Sequence, residues 1–232
     1  MRKLGKGESM KTLLFSRPMA YAWAQGDKNQ TRRALSQKLQ DNLIFSRIGE
    51  GDEWIGWWWN TQRQVTPEQI KYHHVLANKA YGPGTGIRCP YGVTGDKVRL
   101  LTTWAVDKSY DHLPNLLLKD VKIWSAFDGF LKPASFGKPR MGRYIPNSLR
   151  NQMPCAEITS IDIQRVKDIS DKDILGEGIL SVPYTPQDKT AEGARRRVFY
   201  ELFDSLNKGK GVSTQQNSWV WVIGLKKSTN GR

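Results

Sequence analysis

Apolar and polar positions alternate along this chain in short bursts, and the bursts change period. Residues 11–15 read as a brief apolar strand. From Ser16 to Gly26 the period becomes helical: Met19 and Trp23 lie four apart on one face, Pro18 suits a first turn and Gly26 a stop. Thr66-Pro67-Glu68-Gln69 has the form of a capping box with proline at the first helical position, which predicts a helix over 67–80. Strands are expected over 98–106 and 158–166. Ser170 with Asp173 predicts a short capped helix ended by Gly178, and Phe199, Leu202, Phe203 and Leu206 fall at helical spacing within a helix over 192–207. Residues 218–226 are apolar on both pleat faces, the mark of a strand buried on both sides. The sum is an α+β chain of short strands with a few helices between them.

At 232 residues the chain can bury one full core, to which nine Trp, eight Tyr and seven Phe contribute. No apolar run approaches the ~20 residues needed to cross a bilayer as a helix, so no membrane partner is expected. The residues before Met10 are basic and lack an apolar run, and read as a flexible tail, not a leader. A cytoplasmic setting follows, in which Cys89 and Cys155 are free thiols.

Charge changes the picture most. Thirty-six Lys and Arg against 22 Asp and Glu give +14, of which the tail before Met10 carries only +2. Gly129 to Ala156 contains no acidic residue, yet holds Lys132, Lys138, Arg140, Arg143 and Arg150 among interleaved Pro and Gly. This predicts a basic loop or arm. With Lys28, Arg32 and Arg33 in a second cluster and Arg195, Arg196 and Arg197 in a third, a polyanionic partner is expected: nucleic acid or nucleotides. Arg32, Lys132, Lys138, Arg140 and Arg143 are the candidate phosphate contacts.

Several tempting patterns carry less. His73 and His74 are adjacent, so a helix points them apart, and with only His112 and two distant cysteines besides, neither metal nor cofactor is expected. Residues 82–86 are glycine-rich without the Lys-Ser/Thr end of a phosphate loop. Trp54, Trp57, Trp58 and Trp59 alternate as strand residues do; they suit packing better than base stacking.

The run Leu14-Phe15-Ser16-x-Pro18-Met19, followed by Gly26-x-Lys28-x-x-Thr31-Arg32-Arg33, resembles the ASCH superfamily, in a version found in bacteriophages and prophages. Residues 89–96, 169–179, 204–207 and 219–223 resemble its later motifs in the same order. The resemblance implies a PUA-like fold, a small β-barrel with flanking helices, as one domain over 10–232 with insertions at about 41–88 and 107–156. One branch of that superfamily comprises amidohydrolases that remove the acyl group from N(4)-acetylcytidine. Gly26-x-Lys28-x-x-Thr31 matches its lysine and threonine, Glu177 falls at its glutamate, and Arg33 at a family arginine. The resemblance thus implies Lys28, Thr31 and Glu177 as catalytic and Ser16 and Arg33 as substrate-binding, with no metal needed. Asn29 departs from the branch's usual threonine, and this chain is much longer than its members.

Chemically, Thr31 needs a base to attack a carbonyl. Lys28 fills that role if burial or neighbouring arginines lower its pKa; otherwise Glu177 is the base and Lys28 serves the oxyanion. A plain Lys28–Glu177 ion pair bracing strand against helix is the structural alternative. A non-catalytic RNA- or DNA-binding module that reads modified bases is the functional one.

Overall fold

A computed structural model describes residues 10–36, 40, 43–47, 54–58, 89–183 and 185–228. Among these, strands β1 (Thr12–Leu14), β2 (Gln30–Ala34), β5 (Lys97–Leu101), β8 (Cys155–Arg165) and β9 (Trp219–Lys227) form one sheet in the order β1-β5-β8-β9-β2. Only β1 and β5 run parallel. Two hairpin-like pairs stand apart: β3 (Leu43–Arg47) with β4 (Trp54–Trp58), and β6 (Trp104–Val106) with β7 (Ile123–Ser125). The helices are α1 (Arg17–Gln25), α2 (Asp171–Gly176) and α3 (Ala191–Asn207).

The long strand β9 shows why the chain folds this way. Its side chains alternate, with Trp221, Ile223 and Leu225 entering one apolar cluster and Val220 and Val222 another. The first cluster, with Leu13, Phe15, Trp23, Leu100, Ile158 and Ile163, fills the concave side of the sheet. The second lies under α2 and α3, where Ile174, Phe199 and Phe203 cover the opposite face. A strand apolar on both sides is the only kind that can serve two layers at once.

The sheet is not a closed barrel. Five strands laid flat would hold β1 and β2 roughly 19 Å apart at the usual ~4.8 Å spacing, far beyond the reach of one side chain. Yet Arg33 Nη2 on β2 donates to the Leu14 carbonyl of β1 at 2.6 Å. The sheet therefore curls until its edges nearly meet, and no strand pairing completes the ring. Helix α1 starts at Arg17, so β1 is three residues long and offers few backbone groups for a ladder with β2. A seam remains between the two edges.

The basic segment is not a free arm. Ile145, Leu149 and Met153 bury into a third cluster with Trp104, Leu118 and Ile123, and the backbone passes through 3-10 turns at Gly142–Tyr144 and Asn147–Gln152. The expected strand over 98–106 is broken at Thr102 and Thr103 into β5 and β6. The expected helix over 67–80, the tail before Met10 and Trp59 lie outside the described residues.

Candidate active site at the sheet seam

The site begins with two backbone segments pressed together. Lys28 pairs with Glu177 in an isolated antiparallel bridge, and the Asn29 N–H donates to the Gly176 carbonyl at 2.9 Å. Glu177 arrives there because α2 is firmly ended. Ser170 and Asp173 form a reciprocal capping box at its start, and Gly178, at φ +89°, reverses the chain at its end. Gly178 is fixed on a second ground: a Cβ there would meet the Ala22 Cβ at 2.7 Å. The glycine lets the end of α2 lie against α1 and the Lys28 segment.

Lys28 Nζ then donates to Glu177 Oε2 at 2.7 Å and to the Glu177 carbonyl at 3.0 Å. Arg32 Nη1 approaches Glu177 Oε1 at 3.5 Å, while Arg32 Nη2 reaches Asp173 Oδ2 at 3.1 Å and Gln164 Oε1 at 3.2 Å. Lys28, Arg32, Glu177 and Asp173 thus form one largely buried cluster. Asp173 is a member that sequence reasoning treated as a cap alone. Burial pushes the Lys28 amine below its ordinary range, and Arg33 and Arg32 act the same way, against the pull of Glu177.

Thr31 sits three residues beyond Lys28, fully buried, opposite Ile223 on β9. Its hydroxyl has no hydrogen-bond partner among the described residues. The structure thus brings Lys28 and Glu177 into contact, and shows no hydrogen bond between either of them and the Thr31 hydroxyl. Buried hydroxyls are almost always satisfied, so this one calls for an explanation. The Ser16 hydroxyl is likewise buried and unpartnered, and it does not cap α1 as its position invites.

A cavity of about 470 Å³ opens along the seam. Its walls include Phe15 and Ser16 after β1, Arg32 and Arg33 on β2, and Arg143 and Lys210 from outside the sheet. Lys28, Thr31 and Glu177 are not among its lining residues. Phe15 marks the boundary: Lys28 Nζ lies 5.5 Å and the Arg33 guanidinium 5.9 Å from its ring centre. Tyr91 and Asn207, from the segments 89–96 and 204–207, also line the cavity with Lys210, to which no sequence motif pointed.

The remaining expected phosphate contacts divide. Arg140 is held inside by Asp111, the Leu113 carbonyl and Asn115, with its guanidinium 5.5 Å from the Trp104 ring centre. Lys132 Nζ donates to the Phe136 carbonyl at 2.5 Å. The side chains of Lys138 and Arg143 make no hydrogen bond or ion pair with any described residue; Arg143 lies over the Tyr144 ring at 6.0 Å. The arginine run on α3 is neutralised: Arg195 pairs with Asp171, Arg196 with Glu192, and Arg197 with Asp188 and Glu201.

No family model, curated protein or solved structure matches this chain. Among the described residues no helix is long and apolar enough to cross a membrane, and no group of three or more His, Cys, Asp or Glu is placed to hold a metal ion.

Proposed function

We infer that this chain is an ASCH-type, PUA-like amidohydrolase that removes the acyl group from an N(4)-acylated cytosine, as nucleoside or within nucleic acid, without a metal. One observation supports this above the rest: a buried lysine with a lowered pKa, locked to a glutamate, stands two residues before β2, the strand that holds a threonine hydroxyl unpartnered among the described residues. A threonine hydroxyl can supply a nucleophile once a base takes its proton, and perturbed ionisable groups gather where chemistry is done.

Burial, which pushes the Lys28 amine down, suits it to act as the base. A neutral amine has two N–H groups, enough for Glu177 Oε2 and the Glu177 carbonyl, and keeps one lone pair. That lone pair takes the proton from Thr31 Oγ1 as the oxygen attacks the acyl carbon. The C–N bond then breaks, the exocyclic amine leaves with the proton, and the acyl group rests on Thr31 as an ester. Water hydrolyses the ester, regenerating Thr31 and releasing the carboxylic acid. Glu177 holds the amine in line and stabilises the ammonium formed in each half. Because the cavity stops at Phe15, substrate entry requires Phe15 to turn aside, which adds an opening step before chemistry.

The second reading, a non-catalytic module that binds modified bases in nucleic acid, draws on that same burial: Thr31 has no exposed surface. Incubation with N(4)-acetylcytidine separates the two. A hydrolase produces cytidine and acetate, with the accompanying ultraviolet change; a module binds and leaves the amide intact.

A further inference from the structure

The cavity's lining holds four cations, Arg32, Arg33, Arg143 and Lys210, and no carboxylate. Arg32 is spent on Glu177 and Asp173, and Arg33 is engaged with Leu14. Arg143 and Lys210 are different: both are exposed, and they approach the cavity from separate parts of the chain.

Arg143 stands on a fixed base. The Gly142–Tyr144 turn is tied by Trp104 Nε1, which donates to the Met141 carbonyl at 3.1 Å, and by the Arg140 N–H, which donates to the Trp104 carbonyl at 2.7 Å. Gly142 is packed so closely that a Cβ there would meet the Thr102 carbonyl oxygen at 2.5 Å. A rigid turn therefore presents a guanidinium that no acceptor among the described residues occupies. Lys210 is anchored just past α3, where Nζ donates to the Leu206 carbonyl at 2.7 Å. A longer bond to Asn207 Oδ1 at 3.4 Å leaves the ammonium one further donor. Two cations with spare donors and no neighbouring carboxylate form a site for an anion with several acceptor oxygens.

We propose that Arg143 and Lys210 form a phosphate subsite at the cavity mouth, so that the ligand of this site is a phosphorylated nucleoside. The proposal rests on the reading that a cytosine base enters the cavity. The phosphate comes either from a free nucleotide or from the backbone of a strand whose base is turned out of its stack, since a cavity of this size admits one nucleoside and not a duplex. Tyr144, 60% exposed beneath Arg143, gives a strand a surface on which to lay the neighbouring base.

The test compares kcat/KM for N(4)-acetylcytidine, its 5′-monophosphate and a short single strand carrying the same base, in wild type, Arg143→Gln and Lys210→Gln. In parallel, equilibrium binding of cytidine and cytidine 5′-monophosphate is measured for the same three proteins. The expected result is a preference of about 10- to 100-fold for the phosphorylated forms, as charge-assisted hydrogen bonds give, falling toward unity in each variant. Monophosphate and strand used alike assigns the phosphate to a nucleotide; a clear advantage for the strand assigns it to the backbone. Equal use and equal binding of nucleoside and monophosphate in wild type overturns the subsite and leaves the hydrolase reading intact. Phosphate-dependent binding without turnover of any substrate sustains the subsite and removes the hydrolase. A preference that survives both substitutions overturns the assignment to Arg143 and Lys210.

Discussion

Arg33 on β2 reaches across the open seam to the Leu14 carbonyl of β1 at 2.6 Å, and this single side-chain bond stands where a barrel would have a strand ladder. It joins the architecture to the site, because the cavity lies along the same seam.

Arg33→Gln removes a charged donor to a carbonyl and lets the two edges part. Urea denaturation should show a loss of about 1–3 kcal/mol, the range for hydrogen bonds to charged groups. An unchanged midpoint would mean that the edges are held together by the core alone.

Lys28 and Glu177 are expected to behave as one unit. Lys28→Met leaves the Glu177 carboxylate buried with only the more distant Arg32, and Glu177→Leu leaves a buried amine without its acceptor. Each single change should cost about 3–5 kcal/mol, while the double variant costs clearly less than their sum. Additive losses in a double-mutant cycle would show that the pair is not coupled.

Acid should unfold this chain through a defined set of carboxylates. Arg197, then the Thr185 N–H and hydroxyl, hold Asp188 far below the usual carboxylate range, and Arg195 does the same for Asp171. Their folded pKa values lie below the unfolded ones near 3.9. The stability they contribute is therefore present above about pH 4 and lost as the pH falls through the folded values. Urea midpoints should drop between pH 5 and pH 2.5, and Asp188→Asn should be weaker at pH 7 yet lose less on acidification. An equal drop in wild type and variant would place the acid sensitivity elsewhere.

Arg140 and Arg143 lie three residues apart and should separate cleanly. Arg140→Gln breaks contacts to Asp111, Leu113 and Asn115 and should lower the melting temperature, whereas Arg143→Gln should leave it unchanged. A salt titration of nucleic-acid binding should show the converse, with the slope shallower only for Arg143→Gln. Matching effects from both would return Arg140 to the binding surface.

Local chemistry was readable where a few neighbouring residues decide the outcome. The Ser170–Asp173 box, the Gly26 stop at φ +90° and the two-faced strand ending at Lys227 were all legible, because capping and alternation act within a few residues. The break at Thr102 was not, since it depends on Gly142 lying against that backbone from forty residues away. Charge misled most. Arg195, Arg196 and Arg197 look like a basic patch in sequence, but their partners Asp171 and Asp188 come from other segments. The pairing of Lys28 with Glu177 was legible only through the family resemblance; spacing alone cannot join residues 149 apart. Tyr91, Arg143 and Asn207 fell in segments that the sequence marked, but their meeting with Lys210 around one cavity had no local signal.

The central claim concerns the unpartnered hydroxyl of Thr31, and one comparison tests it: deacylation of N(4)-acetylcytidine by wild type, Thr31→Ser and Thr31→Val, each first confirmed to melt as a folded protein. Val keeps the shape and removes a buried group that bonds to none of the described residues, so its stability should match or slightly exceed that of wild type. Its rate should fall by about 10³-fold or more, while Ser keeps part of the activity. A Thr31→Val protein that is stable and deacylates as fast as wild type would contradict the account.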